Sequence, residues 1–538
     1  MAASSRPSSS NAPTTVPRVT PPTCVVIGAG VAGLYAACQL AEAGAAVTVL
    51  ERAPRTGGRC LTTQHAGLPL DLGAYRVHAS HARVLALCQV LGVALVPWTY
   101  EAKATCPPPS VPGPDPTRGA TRTMWDAVAL ARGLPAADAE DLHTGYAGTL
   151  HAGAVDVGLL DQPQQKTGST WLVPEAGFQA LTDALQRRAE AAGAVVALEQ
   201  AVLRLADRDL VVLDRRAQRT RTVTFDACVC TLPPAALAAT GWEPARALRA
   251  SLWGHDLLRV YATVGLEPSG SEASALAVKA LLPHHPCQQV MDVPPGPRAA
   301  HGGRLGSGRR LVQAAYAQGR AARLLHRLSP LERRPMLADG VRRAMGAVGP
   351  LREVASRFWE AGIHTWQPAV GGLPDRRLLA APVQSAAVFL CGEAVSHTHQ
   401  AWVEGALETA ARAVVRCAVQ LGLPGPPQAA RAAGLGARMP TWSLRNPPPF
   451  PFIVVRARVL DVTPWRSRHP GGAGALDAHL GEDCTVLFDT LHAGSDRAHG
   501  QLLSLQRGWW TPSDPLAREA LGEKYAPAQA PKKQALFE

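Results

Sequence analysis

Three closely spaced glycines near the start of the chain could bind a nucleotide. Gly28, Gly30 and Gly33 follow the apolar run "CVVI" and form the pattern G-x-G-x-x-G. In this pattern the first glycine permits a tight turn, the second lets a pyrophosphate approach the backbone, and the third packs helix against strand. The predicted helix from Val31 to Gly44 presents its first N–H groups to the anion. Glu51, 18 residues after the last glycine, is predicted to accept hydrogen bonds from a ribose.

The elements that must hold this turn alternate between strands and helices. Strand-like runs such as "CVVIGAG", "AVTVLE", "FDACVCTLP" and "AAVFLCGE" are separated by helical patterns such as "GFQALTDALQRRAEAAG". This alternation predicts an α/β fold, and proline-rich stretches predict its boundaries. The predicted organisation is a disordered leader over residues 1–22, a long unit over 23–421, a linker over 422–450, a short unit over 451–512 and a tail over 513–538.

Composition excludes several classes of protein. The chain has 538 residues, 47% of them hydrophobic, so wholesale disorder is excluded. Lys and Arg exceed Asp and Glu by 54 to 42, but the arginines are scattered, which predicts a basic surface without a nucleic-acid partner. Eleven cysteines without CxxC pairs indicate neither a disulfide framework nor a zinc site.

The first 41 residues bear on the cellular location of the protein. The uncharged stretch from Cys24 to Ala41 carries the glycine motif, so we interpret it as strand, turn and helix and predict no transmembrane segment. A cytoplasmic protein is the expectation. The first 22 residues contain Ser and Arg but no acid, so an organellar location is the alternative if they form a transit peptide.

The residues after Glu51 narrow the kind of nucleotide. The stretch "ERAPRTGGRCLT" resembles the flavin-containing amine oxidase superfamily, and the resemblance continues through ordered motifs to about Leu421. It implies a Rossmann-like FAD-binding domain with an inserted substrate-binding domain. Contacts to FAD are then expected from Arg52, Gly58 and Arg59. No cysteine matches the members that bind FAD covalently, so a non-covalent flavin is expected.

Further FAD contacts follow from the later motifs of this resemblance. Val202 in "EQAVLRL" is expected to hold adenine through its backbone, and Glu393 in "FLCGEAVSHTHQAWVEGALETAARAV" to meet the ribityl or phosphate region. Trp402 and Val403 are expected near the isoalloxazine ring. The alternatives are purely structural: Val202 as a core valine, Gly177 as a loop residue, and Glu404 with Glu408 as a solvated helix face.

Three residues bear on the substrate. Arg76, in "LDLGAYRVHASHARVL", matches the arginine that grips the substrate carboxylate in L-amino-acid oxidases, with a structural salt bridge as the alternative. Trp366 in "RFWEAGIHTWQPAVGG" is expected to wall the flavin, beside His364. Arg259, in "HDLLRVYATV", stands where most family members hold a lysine near flavin N5. Because arginine stays protonated, this departure puts reactivity with oxygen in doubt.

The far end of the chain contains a second candidate centre. The stretch "VVRARVLDVTPWRSRHPGGAGALDAHLGEDCTVLFDTLH" resembles the cytochrome b5 family, a small α+β haem domain. The resemblance implies haem b, with iron ligated by His469 and His492, which lie 23 residues apart. The residues expected to line the apolar slot are Val462, Leu476, Leu480 and Phe488.

Together these patterns predict an FAD-dependent enzyme that oxidises the amine of an L-amino acid to an imine, which water converts to a 2-oxo acid and ammonia. Electrons would pass to oxygen or, through the haem, to a redox partner protein. Two alternatives stay open: an oxidase of polyamines or other amines, and a non-catalytic flavin–haem electron carrier.

Overall fold

The computed structural model of the chain describes most of the predicted long unit and parts of the short one. The described residues are 20–98, 100–104, 171–265, 277–282, 285–293, 304–305, 308–346, 349–366, 387–396, 399–423, 441–442, 451–455, 458–463, 465–470, 472–477, 479–480, 484, 488 and 505–510. The predicted leader, linker and tail fall almost wholly outside them, as does His492.

The strands of the first half are β1 Thr23–Ile27, β2 Ala46–Leu50, β3 Thr62–His65, β4 Leu68–Asp71, β5 Val77–His78, β6 Leu95–Trp98, β7 Tyr100–Ala104, β8 Trp171–Pro174, β9 Val195–Ala197, β10 Gln200–Leu205, β11 Asp209–Asp214, β12 Arg219–Thr224 and β13 Ala227–Cys230. The remaining strands are β14 Leu252–Gly265, β15 Ala277–Leu281, β16 Gln289–Asp292, β17 Arg304–Leu305, β18 Arg309–Gln318, β19 Leu351–Trp366, β20 Val388–Leu390, β21 Thr441–Trp442, β22 Phe452–Val455, β23 Arg458–Asp461 and β24 Gln506–Trp510. The helices are α1 Val31–Glu42, α2 Ala82–Leu91, α3 Gln179–Ala191, α4 Pro234–Ala239, α5 Pro244–Ala250, α6 Gly319–Arg327, α7 Pro330–Met345, α8 Val403–Gln420 and α9 Gly472–Asp477, with 3-10 turns at Glu393–Val395 and Arg466–Arg468.

The apolar runs of the long unit form a parallel sheet. Its order is β20-β13-β1-β2-β9, so β1, which precedes the glycine turn, lies at the centre. Helix α1 packs on one face with α3 and α8, and the antiparallel sheet β10-β11-β12 contributes to the apolar cluster on the other. Both faces are therefore covered, which is why these strands are apolar throughout rather than alternating. The predicted α/β class is confirmed.

A second sheet is inserted into the first. Between β13 and β20 the chain forms an antiparallel sheet, joined at its edge by β7, with the order β19-β14-β18-β16-β15-β7. Helices α6 and α7 pack against it and bury an aliphatic cluster. This is the inserted domain that the sequence predicts.

Short strands connect the two sheets and carry candidate site residues. The hairpin β3-β4 leads into the turn that contains Arg76, and β5 and β6 both pair with β8. No helix in the described residues is both long and apolar enough to cross a membrane.

The short unit has its own sheet and core. Its strand order is β21-β24-β23-β22, in which β21 comes from the stretch predicted as the linker, and α9 follows the Arg466–Arg468 turn. Val462, Leu476, Leu480 and Phe488 lie in one apolar cluster, as the predicted slot requires. His469 ends the 3-10 turn in extended conformation.

Candidate functional site

The glycine turn leaves an open cradle at the start of α1. Gly28 has φ +97°, and a Cβ on Gly33 would lie 1.9 Å from the carbonyl oxygen of Gly28. A Cβ on Gly30 would meet nothing within 4 Å, and no side chain caps α1 at this residue. Glycine is therefore required at Gly28 and Gly33 by the backbone geometry itself. At Gly30 the missing side chain serves only to leave open space. These residues fit a pyrophosphate at the helix N-terminus.

Glu51 fixes the turn to the end of β2. Its two carboxylate oxygens accept hydrogen bonds from the N–H groups of Ala29 and Ala53, each at 2.8 Å. The carboxylate therefore lies beside the glycine turn, and its contact with a ribose stays a prediction. Arg52 next to it is exposed, and its carbonyl accepts a hydrogen bond from Arg215.

The second glycine pair packs against the first. A Cβ on Gly58 would lie 3.3 Å from the Cα of Gly30, and Gly57 bridges to Gly30. Sequence reasoning missed Arg55, whose guanidinium donates to the carbonyls of Thr56 at 2.8 Å and Gly58 at 2.7 Å. Its place inside "ERAPRTGGR" was the available signal.

An ion network around the buried Glu393 joins the first segment of the chain to the inserted sheet. Arg59 Nη1 donates to Glu393 Oε1 at 2.6 Å and to the carbonyl of Gly362 at 2.7 Å. His364 Nδ1 lies 2.7 Å from the same oxygen, and the N–H of Ala401 donates to Oε2 at 2.9 Å. Burial alone would raise the pKa of Glu393, but Arg59 and His364 lower it to about 2. Glu393 is therefore a fixed anion.

Two other predicted FAD contacts have definite places. Val202 is partly buried against the core beneath β10, where the pairing register shifts between Val202 and Arg204. Trp402 immediately precedes α8, which begins at Val403, and its ring stacks on Trp171 with centroids 5.5 Å apart. Their contacts with adenine and with the flavin ring remain predictions.

Arg76 lies in a box of aromatic rings. Its guanidinium is 3.9 Å from the centroid of Trp171 and within 5.2 to 5.9 Å of the centroids of Tyr75, Trp98 and Trp402. Its Nε has no hydrogen-bond partner, and no carboxylate of the described residues pairs with it. The structural salt bridge considered above is thus not found in this part of the chain.

Arg259 lies behind Tyr75, on β14. It is 2% exposed, and its Nη1 donates to the carbonyl of Asp71 at 2.7 Å. The guanidinium also lies 4.1 Å from the ring centroid of Tyr75 and 4.8 Å from that of Tyr316. Burial opposes its charge, but the neighbouring tyrosines and Asp71 raise its pKa above the ordinary value.

Trp366 ends β19 opposite Leu252, and its side chain lies outside the described part.

Glu404 and Glu408 do not form a solvated face, so that alternative is wrong. They are 1% and 4% exposed. Glu404 faces the start of α2, and Glu408 faces the loop that precedes α8. Glu404 accepts hydrogen bonds from the N–H groups of Arg83 and Val84 and pairs with the Arg83 guanidinium at 3.0 Å. Glu408 accepts from Ser396 Oγ at 2.6 Å and pairs with Arg412. Gly177 is likewise more than a loop residue, since its φ is +88° and a Cβ would clash with Thr62.

The chain matches three known families. Residues 26–91 match the NAD(P)-binding Rossmann-like domain, residues 138–418 the flavin containing amine oxidoreductase family, and residues 445–521 the cytochrome b5-like heme/steroid binding domain. These matches assign FAD to the long unit and haem to the short one.

Individual relatives match over shorter stretches. A putative flavin-containing monoamine oxidase of Mycobacterium tuberculosis is 36% identical over 126 residues, which cover 21% of this chain and 27% of that protein. The L-amino-acid oxidase of Mus musculus is 46% identical over 81 residues, 15% of this chain and 13% of that one. A probable polyamine oxidase of Arabidopsis thaliana is 49% identical over 57 residues, 11% of this chain and 12% of that one.

The fold has solved counterparts. A putrescine oxidase triple mutant superposes with a TM-score of 0.55 at 18% identity, over 73% of this chain and 98% of that one. This similarity concerns the fold alone. With a family match that spans more than half of its residues, the chain belongs to the flavin-containing amine oxidoreductases and carries a cytochrome b5-like domain after its catalytic unit.

Proposed function

We propose that this oxidoreductase acts on L-amino acids, converting the amine to an imine that water hydrolyses to a 2-oxo acid and ammonia. The observation that carries the proposal is Arg76, a guanidinium without an anionic partner among the described residues, set in a box of four aromatic rings. Arg76 is half-buried and its Nε is shielded from solvent, so a ligand that supplied an anion would offset the cost of covering this charge. A carboxylate would supply it.

The recognition step follows from the chemistry of Arg76. A guanidinium and a carboxylate form two parallel charge-assisted hydrogen bonds, which orient the bound molecule as well as hold it. The rings of Trp171, Trp98 and Trp402 cover part of the guanidinium, so the attraction acts in a medium less polar than bulk water. A polyamine has no carboxylate to offer and carries the same charge as Arg76, so the box disfavours it.

The oxidation step removes a hydride from the substrate carbon that bears the amine. FAD, when bound in the glycine cradle, supplies the acceptor for this hydride. Arg76 contributes by orienting that C–H bond, and such orientation can supply about 7–11 kcal/mol of the barrier reduction. Hydrogen bonds among Arg59, Glu393 and His364 fix the segment that follows Gly58 to the loop before α8.

The proposal is tested with one substrate pair under argon. Phenylalanine and phenethylamine share a side chain, but only the first has a carboxylate. We expect phenylalanine to bleach the visible absorption of the flavin at least about 100-fold faster, since two charge-assisted hydrogen bonds are each worth ~1.5–3 kcal/mol. Further amino acids are screened in the same way to find the preferred side chain.

Variants of Arg76 test whether this residue causes the preference for the amino acid over the amine. Arg76→Met should raise the KM for amino acids and remove the preference over the amine, whereas Arg334→Met, an exposed arginine of α7, should change neither. Faster bleaching by phenethylamine or by a polyamine than by any L-amino acid would refute the proposed substrate class. Absence of bleaching by every amine tested would instead favour a non-catalytic carrier.

A further inference from the structure

The turn that carries Arg76 is held from below by the inserted sheet. The carbonyl of Asp71 accepts two hydrogen bonds from β14, from Arg259 Nη1 at 2.7 Å and from the hydroxyl of Tyr261 at 2.9 Å. The next carbonyl, that of Leu72, accepts one from Trp359 Nε1 of β19 at 2.7 Å. The backbone between β4 and β5 is therefore fixed to strands that are distant in sequence.

Arg259 also determines where the side chains of this turn lie. Its guanidinium packs 4.1 Å from the ring centroid of Tyr75, and the guanidinium of Arg76 lies 5.2 Å from the same centroid. Tyr75 thus contacts two cations at once. The negative face of an aromatic ring attracts a cation, so the Tyr75 ring favours the placement of both guanidinium groups.

Arg259 makes these contacts from a buried position. It is almost fully buried, and its planar guanidinium makes a hydrogen bond and two ring contacts simultaneously. Methionine would fill the space without a donor or a charge. Lysine would keep the charge and one donor but lose the planar stacking surface.

We propose that Arg259 is the positioning residue for Arg76: by holding the Asp71 carbonyl and the Tyr75 ring, it sets the Arg76 guanidinium on Trp171 and so prepares it for a carboxylate. Arg259 itself does not contact the substrate. That the carboxylate belongs to an amino acid rests on the proposed function, but the positioning of Arg76 does not.

The test measures carboxylate binding rather than turnover. Benzoate is titrated into the full-length protein by calorimetry, with benzamide as the uncharged molecule of the same shape. We expect Arg259→Met to weaken benzoate binding by about tenfold or more and Arg259→Lys by about threefold, because a charged hydrogen bond and cation–π contacts are lost in whole or in part. Benzamide binding should change by less than about twofold, since no ion pair is involved.

A double variant separates positioning from general damage. If Arg259 acts through Arg76, the change Arg259→Met should alter benzoate affinity by less than about twofold in a protein that already carries Arg76→Met. Arg333→Met is the matched control, because Arg333 is also a buried arginine of the inserted unit but pairs with Glu353. It should lower the melting temperature without changing benzoate affinity.

Each result decides between the proposals. Benzoate affinity that is unchanged in folded Arg259→Met overturns the positioning role and leaves the proposed function intact. Wild-type protein that binds benzoate in an Arg76-dependent way but oxidises no amino acid refutes the proposed function and leaves the positioning role intact. A crystal structure of Arg259→Lys or Arg259→Met tests the geometry without any ligand, and an Arg76–Trp171 distance that stays at 3.9 Å overturns the inference.

Discussion

The glycines of the turn have different structural roles, although the sequence pattern does not distinguish them. Gly33 is required by the fold, because a Cβ there would lie 1.9 Å from a backbone oxygen. Gly30 has φ −78°, which any residue adopts, and open space where its Cβ would be. No described neighbour requires Gly30 to lack a side chain, so we attribute this glycine to the approach of a cofactor.

This difference gives a paired prediction. Gly30→Ala should fold normally but lose about tenfold or more in affinity for FAD, since an added methyl group in a tight contact costs ~1–3 kcal/mol. Gly33→Ala should fail to fold into a soluble protein. Flavin content after refolding with FAD and circular dichroism of the protein measure the two effects. Full FAD content in Gly30→Ala would show that the pyrophosphate does not approach this residue.

Asp71 predicts a dependence of stability on pH. Burial raises the pKa of its carboxyl from the ordinary 3.8 to about 6, although hydrogen bonds from Thr62 and Phe178 and the charge of Arg259 act in the opposite direction. The folded state thus binds the proton more tightly than the unfolded chain, so the contribution of Asp71 to stability is present below about pH 4 and is lost as the pH rises to about 6.

Asp71→Asn removes this titration and keeps an oxygen that can accept the same hydrogen bonds. The melting temperature of the variant minus that of the wild type should therefore increase between about pH 4 and pH 6. Thermal unfolding in a series of buffers measures it. A difference that is constant across this range would mean that folding leaves the pKa of Asp71 unchanged.

Residues whose role is local were predictable, and those whose role depends on distant segments were not. Gly28, Gly30 and Gly33 form one turn, so their spacing alone indicates it. The contact between Arg59 and Glu393 joins residues 334 positions apart, and no local pattern pairs them. The resemblance to a known family suggested both residues, but only the structure shows that Arg59 and His364 contact the same oxygen of Glu393.

At the scale of elements, the N-terminus of helix α2 is capped by a carboxylate of another helix. Glu404, in the first turn of α8, accepts hydrogen bonds from the N–H groups of Arg83 and Val84. It replaces the capping side chain that α2 lacks at His81. A solvated face was the alternative for Glu404 in the sequence analysis, because a sequence alone cannot show that a neighbouring helix end needs an acceptor.

Glu404→Ala should lower the free energy of unfolding by about 3–5 kcal/mol, because it leaves the Arg83 charge and the first N–H groups of α2 without their partner. Glu404→Gln should cost less, since its amide oxygen can still accept. Chemical denaturation measures both. Glu243→Ala, at an exposed ion pair with Arg246, should stay within about 0.5 kcal/mol of wild type. Equal losses in the alanine variants of Glu404 and Glu243 would refute the capping role.

For the whole molecule, the question is whether its two redox modules work together. FAD accepts two electrons as a hydride, and haem iron transfers one at a time. In anaerobic rapid mixing with a substrate that bleaches the flavin, we predict that haem reduction follows flavin bleaching within the same turnover. His469→Ala should abolish the haem signal and leave bleaching at the wild-type rate. Haem that stays oxidised over many turnovers would show that the modules are not coupled.

The α/β class was predictable, because the alternation of strands and helices is a feature of long stretches. The register of the inserted sheet was not. Strand β14 pairs with both β18 and β19, and its pairing shifts at irregularities that no periodicity reveals. The position of Arg259 beneath Tyr75 depends on that register, so its contacts required the structure.

The insertion between β13 and β20 also orders events during synthesis of the protein. The central strand β1 is made first, but β20, which pairs with β13 at the edge of the same sheet, ends at Leu390. Glu393 follows it directly, so the acid that fixes Arg59 emerges from the ribosome after most of the amine oxidase unit. Until then the edge of β13 that later pairs with β20 is open to wrong partners.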